Sequence, residues 1–250
     1  MHSRPLAAEV GPAINRLGAA WYFLPPTIEV GRSIGLDGFR FYFLGRGGVL
    51  GDVEWPVVLS AFGYFNPALL EKMWKTARQR CDVTTAVTAH MGCCHDYGRG
   101  RLHDVVELGP FCDAAQAIIE AAVIDPAALP LFAAYTMLPL APDLPARAMQ
   151  LVVTLRELRG SVHLVAVVAS GLASPVAHWI RRPKDVELFG WKADEISEPT
   201  DEDRRRLDQA DELTNTLLAP AFSTLDDAAS AALIRGVDAI RNAVGDAVTS

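Results

Sequence analysis

Arg156, Arg159 and His163 have the types and spacing for anion chemistry. Positions i, i+3 and i+7 share one face of a helix. Two guanidiniums can fork onto a carboxylate or phosphate, and an imidazole beside them can give or take a proton. His163 is therefore the candidate catalytic group. Glu157 sits among them and allows the opposite reading, a structural ion network in which a carboxylate neutralises the arginines. The first half of the chain offers Arg40, Tyr42 and Arg46, followed by Tyr64 and Asn66. These suit the other wall of a pocket between two halves, since pockets combine aromatic walls with a few polar groups. Their plainer explanation is helix capping by Asn66 and core packing by the aromatics. The candidate ligand-binding set is thus Arg156, Glu157, Arg159, Arg46, Tyr42, Tyr64 and Asn66.

The run AHMGCCHDYGRGRLH gathers His90, Cys93, Cys94, His95 and His103, with Cys81 upstream. These are zinc- or copper-binding atom types. Their spacing argues against a site, because adjacent Cys93 and Cys94 fit poorly into one tetrahedron and no second CxxC or HxxxH follows. Free thiols beside loop histidines are expected, and no cofactor is implied. The Gly-rich GRGGVLG (Gly45 to Gly51) lacks the Gly-Lys-Ser/Thr ending of a phosphate loop. It reads as a turn into a helix beginning at Asp52.

The elements that must carry these residues are mostly helical. Residues 51–67 and 159–175 align at an offset of 108, pairing Gly63 with Gly171, Asn66 with Ser174 and Pro67 with Pro175. In both, a glycine ends one helix, Asn or Ser caps the next, and proline occupies its first position. Each half then reads as helix, turn, helix. Five prolines between Pro126 and Pro145 mark a connection, flanked by helices at 111–122 and 144–158. Thr200 with Asp203, and Ser223 with Asp226, resemble capping boxes. A charged helix follows from Asp201 to Leu218, and an apolar stripe runs from Leu225 through Leu233 and Ile240 to Val248. Phe39–Leu44 and Val83–Val87 are the only short β-rich runs, and periodicity alone does not tell them from buried helix. The expected architecture is mainly α, two tandem helix-turn-helix or winged-helix-like repeats with short or no strands. The expected divisions are 1–124, a Pro-rich connection 125–145, and 146–250.

Two stretches also resemble a known family. Trp21 to Leu70, WYFLPP…GLDGFRFYFLGRGGVLGDVEWPVVLSAFGYFNPALL, is similar to the N-terminal part of actinobacterial helix-turn-helix-like proteins labelled as MarR-type regulators. Leu131 to Leu172 resembles their second signature, Leu-Arg-Glu-His-Arg-Gly-Asp-Gly-His, matched here by Arg156, Glu157, Arg159, Gly160 and His163. Leu158 and Ser161 stand where the motif has His and Asp. After Phe189-Gly190-Trp191 the family continues into a longer winged-helix segment, which this chain shortens. The resemblance covers most of residues 10–225. It implies a helix-turn-helix fold and no particular chemistry.

Half of the residues are apolar and 21% are charged, so a sizeable core can be buried. The net charge is −7. Nucleic-acid binders usually carry a basic surplus, so this balance argues against DNA; the best local basic group is Arg181, Arg182 and Lys184. The N-terminus has no apolar signal region. Gly160 to Ile180 lacks Lys, Arg, Asp and Glu but is too polar for a membrane span. These features suit a cytoplasmic protein, a small-molecule binder or an enzyme acting on a polar or anionic metabolite. The alternatives are a dimeric MarR-like DNA-binding regulator and a non-catalytic partner-binding protein.

Overall fold

The computed structural model describes residues 3–245 apart from 124 and 193. Among the described residues there are twelve α-helices, two short 3-10 turns and no strand. The helices are α1 (Ser3–Leu17), α2 (Pro25–Ser33), α3 (Gly38–Gly47), α4 (Trp55–Phe62), α5 (Pro67–Arg78) and α6 (Val83–Leu102). They continue with α7 (Leu108–Val123), α8 (Pro130–Thr136), α9 (Leu144–Ala169), α10 (Ser174–Arg181), α11 (Asp201–Phe222) and α12 (Asp227–Val244).

Local chemistry sets these boundaries. Asp37, Asn66, Asp82, Asp143 and Asp226 each accept a backbone N–H of the first turn of α3, α5, α6, α9 and α12. Thr200 and Asp203 form a reciprocal capping box on α11. Prolines occupy the first turn of α2, α4, α5, α8, α9 and α10, where no helical hydrogen bond is lost. The turns between α4 and α5 and between α9 and α10 pass through Gly63 (φ 79°) and Gly171 (φ 68°), a backbone region that favours glycine.

Helix α9 is the axis of the molecule. Its 26 residues extend about 39 Å at 1.5 Å per residue. It packs against α1, α6, α7, α8, α10 and α11. Buried residues fall on nearly every face between Ala146 and Val167, as expected of a core helix. One hydrophobic core runs from Leu6 of α1 to Val244 of α12, with Trp21, Trp74, Phe41, Phe43, Phe111 and Phe132 fully buried. A smaller cluster of Ala166, Val167, Leu172, Ala177, Leu207 and Ala210 joins the end of α9 to α10 and α11. α9 and α10 meet at a bend of 115°. Among the described residues no single helix is long and apolar enough to cross a membrane.

Several sequence expectations are corrected. The β-rich runs 39–44 and 83–87, left open between strand and buried helix, lie in α3 and α6. The His/Cys segment is a helix rather than a loop, since all but His103 belong to α6 or its approach. Gly45 and Gly47 are in α3, not a turn. A Cβ on Gly45 would meet the His90 side chain at 2.5 Å, so these glycines bring α3 close to α6. The following helix begins at Trp55, and Asp52 instead pairs with Arg78 at 2.5 Å. Ser223 is the C-terminal residue bounding α11, while Asp226 alone caps α12. Ser174 is not a cap: it is the first residue of α10, and its hydroxyl donates to the Gly63 carbonyl at 3.3 Å. Val248, the end of the expected apolar stripe, lies outside the described residues.

Candidate functional site

The sequence candidates separate into two clusters on successive turns of α9. The inner one is built on Glu157, which is 1% exposed. Arg46 of α3 grips this carboxylate with two bonds, Nε to Oε1 at 2.9 Å and Nη2 to Oε2 at 2.7 Å. Arg156 Nη1 donates to Oε1 at 2.6 Å. Arg46 Nη1 also donates to the Tyr42 hydroxyl at 2.9 Å, and the Tyr22 hydroxyl donates to Glu157 Oε1 at 3.4 Å. Arg46 lies 4.2 Å from the Phe62 ring centre, a cation–π arrangement. Burial pushes the Glu157 carboxyl upward in pKa, but the Arg46 and Arg156 guanidiniums outweigh it and hold it below the usual range. Tyr22 is pushed well above its ordinary value by burial. The inner cluster therefore carries two guanidiniums and one carboxylate, and it is closed to solvent on the Arg46–Glu157 side.

The outer cluster begins two residues later, at Arg159. This residue meets no ion-pair or hydrogen-bond partner among the described residues, and its Nε is buried without an acceptor. Its stem runs along α1, where a Cβ on Gly11 would come within 2.9 Å of Nε. With Gly11, Ile14, Leu158, Leu218 and Phe222 it borders a cavity of about 10 Å³, room for one water and no metabolite. It also faces Tyr64, and it shares a positive field with Arg181. Burial raises the Tyr64 phenol to about 12, against the lowering effect of Arg159, Arg156 and Arg181, so the hydroxyl keeps its proton. Arg181 is paired with Asp211 of α11. His163, whose side chain is 14% exposed, places Nδ1 at 3.0 Å from Thr214 Oγ1 and 3.8 Å from Asp211 Oδ1. Burial, then Arg159 and Arg181, lowers its pKa to about 4, so the ring is neutral near pH 7.

The remaining candidates lie apart. Asn66 caps α5 through Ala68 N–H and its amide donates to Glu195 at 3.3 Å. Arg40 pairs with Asp37 and donates to Thr76, away from both clusters. His95 Nε2 lies 3.1 Å from Gln150 Oε1. His90 is fully buried against Trp21, Tyr22 and Phe41, with neither ring nitrogen bonded; burial and then Arg46 lower its pKa to about 3. Cys93, Cys94 and Cys112 are buried free thiols, pushed up in pKa by burial. Among the described residues no three His, Cys, Asp or Glu side chains converge as a metal site. Tyr22 and Thr214 were invisible as site residues in the sequence. Tyr22 is one of several aromatics in an apolar run, and Thr214 lies 51 residues from His163.

The helix-turn-helix segments adjoin these clusters. The α4–α5 turn sits on α9, since a Cβ at Gly63 would collide with Leu164. A helix-turn-helix family model matches residues 7–189, well over half of the chain. The chain belongs to this helix-turn-helix family. No curated protein and no solved structure matches it. In DNA-binding members of this general architecture, the N-terminal residues of the second helix enter the major groove. In this helix-turn-helix protein the corresponding end of α5 is covered by its own chain. Asn66 N–H donates to Phe189 O at 2.9 Å, and Trp191 Nε1 donates to Tyr64 O at 2.8 Å. Phe189 stacks on Phe65 at 4.2 Å and lies 3.8 Å from the His178 ring. Helix α10 has no exposed residue before Arg181.

Proposed function

We propose that this helix-turn-helix protein is a cytoplasmic binder of a small anionic or polar metabolite, with Arg159 receiving the anionic group. The observation that carries this reading is the unpaired guanidinium. Arg159 is largely buried, has no acid, and has an orphaned Nε. A buried cation without a counter-charge is costly, and an arriving anion removes that cost. Tyr64 supplies a protonated hydroxyl nearby, and Arg156 and Arg181 add to the field that draws an anion in. Access is from the side of Tyr64 and His163, because the 10 Å³ cavity on the α1 side is too small.

Titrating inorganic phosphate, acetate and butyrate while following thermal unfolding tests this, since a ligand that binds only the folded state raises stability in proportion to the logarithm of its concentration. A concentration-dependent rise in the wild type that disappears in Arg159→Ala is expected. Equal responses of wild type and Arg159→Ala would overturn the reading.

A second reading is a dimeric, MarR-like DNA-binding regulator from an actinobacterial lineage. Family membership favours it, as do exposed Lys72, Lys75 and Arg80 along α5 and its C-terminal end. The covered N-terminus of α5 and the −7 charge weigh against it. A gel shift with nanomolar affinity and steep salt dependence would establish it in place of the first.

A further inference from the structure

The hydrogen bonds around His163 fix more than its position. Thr214 is fully buried on α11, and its Oγ1 lies 2.6 Å from the Ala210 carbonyl oxygen. A carbonyl can only accept, so the single hydroxyl hydrogen of Thr214 is committed there. The same oxygen lies 3.0 Å from His163 Nδ1 and can therefore only accept from it. The proton of the neutral ring is thus on Nδ1. Asp211 Oδ1, 3.8 Å from Nδ1, favours the same tautomer, while its other oxygen is engaged by Arg181. Nε2 is left with a lone pair and no partner among the described residues.

The charged groups facing the ring come from three elements: Arg159 of α9, Arg181 of α10 and Asp211 of α11. None of them donates to Nε2. Arg159 lies four residues before His163 on the same helix, so their Cβ atoms are about 5–6 Å apart on one face. A cation and a neutral acceptor then stand side by side.

We infer that His163 Nε2 is a fixed hydrogen-bond acceptor and that the ligand of Arg159 is a small hydroxy- or amino-bearing anion, its donor placed on Nε2 and its anionic group on the guanidinium. This rests on the anion reading of Arg159. Thr214 acts through His163 as a positioning residue: it holds the tautomer and touches no ligand. The arrangement selects for ligands with a donor, because a desolvated acceptor facing an analogue without one is left unpaired.

The test has two parts. Nitrogen-15 NMR of the full chain reads the tautomer directly. At pH 7, His163 should show a protonated Nδ1 and an unprotonated Nε2. Thr214→Val should mix the tautomers, and Thr214→Ser should restore the wild-type pattern. Calorimetric titration with the matched pair 3-hydroxybutyrate and butyrate reads the preference. The hydroxy acid should bind about tenfold more tightly, the worth of one good hydrogen bond. That preference should collapse in Thr214→Val and survive in Thr214→Ser, with butyrate affinity the same in all three. A protonated Nε2, or equal affinities for the two acids with Arg159 still required, overturns this inference and leaves the anion reading standing. Binding of neither acid, with no phosphate or acetate response, overturns both.

Discussion

Two consecutive turns of α9 hold charge in opposite ways. At Glu157 the charges are matched: both carboxylate oxygens are occupied, Arg46 is bonded on three nitrogens, the Tyr22 and Tyr42 hydroxyls are engaged, and Arg156, though its Nε lacks an acceptor, holds the carboxylate through Nη1. At Arg159, two residues on, a guanidinium that is half-buried has none. A closed network of this kind fixes how α3 docks on α9 and reacts with nothing. An open one is less favourable to the fold and is available to a ligand. One stretch of sequence, Arg156 to His163, therefore carries both the structural and the ligand-binding reading, divided by residue.

The sharpest way to break this comparison is at Glu157. Glu157→Ala would leave Arg46 buried against Phe62 with only the Tyr42 hydroxyl for a partner. Removing one member of a buried pair costs about 3–5 kcal/mol. The chemical-denaturation midpoint should fall accordingly. A loss below ~1 kcal/mol would mean that water reaches this cluster and that the two turns do not differ.

The next effect is read in pH. His90, His163 and His178 have folded pKa values of about 3, 4 and 4, below the ordinary 6.5, with burial the first cause in each. The unfolded chain then takes up protons that the folded chain refuses, so stability is full above about pH 6.5 and is lost as pH falls toward 4. Each histidine steepens the decline by up to ~1.4 kcal/mol per pH unit. His90 has no hydrogen bond to lose, so His90→Phe should remain folded and flatten the slope near pH 5 by about that amount. An unchanged slope would place a water or other partner on its ring.

Much of the fold was legible because its signals are local. Pro67, Pro175, Gly63, Gly171, Asn66 and the Thr200–Asp203 pair each act on their immediate neighbours, and the helices fall where these residues place them. The segments left open or misread are those where tertiary packing outweighs propensity. Phe39–Leu44 and Val83–Val87 are β-rich by composition but lie on helices with apolar neighbours on several sides, and Gly45 and Gly47 serve contact between helices rather than a turn. The candidate site was legible in its residue types only. Arg46 and Glu157 were both marked, yet 111 residues separate them and nothing local announces that they meet. Thr214, which sets the state of His163, is an ordinary threonine on a charged helix until the fold puts it there.

The smallest expected effect belongs to Arg159, and it sharpens the comparison most. If this guanidinium braced the structure as Arg46 does, Arg159→Ala would cost several kcal/mol. No carboxylate is released by its removal, and no hydrogen bond among the described residues is lost. What goes is the packing of its stem against Gly11 and Leu158, offset by relief of a largely buried, unpaired charge and of repulsion with Arg181. The two contributions oppose each other, so the midpoint of unfolding without ligand should move by less than ~1 kcal/mol in either direction. Arg159→Leu, which keeps the stem and drops the charge, should be at least as stable as the wild type. Destabilisation of either variant by the amount predicted for Glu157→Ala would make Arg159 a second brace, and the contrast between the two turns of α9 would be gone.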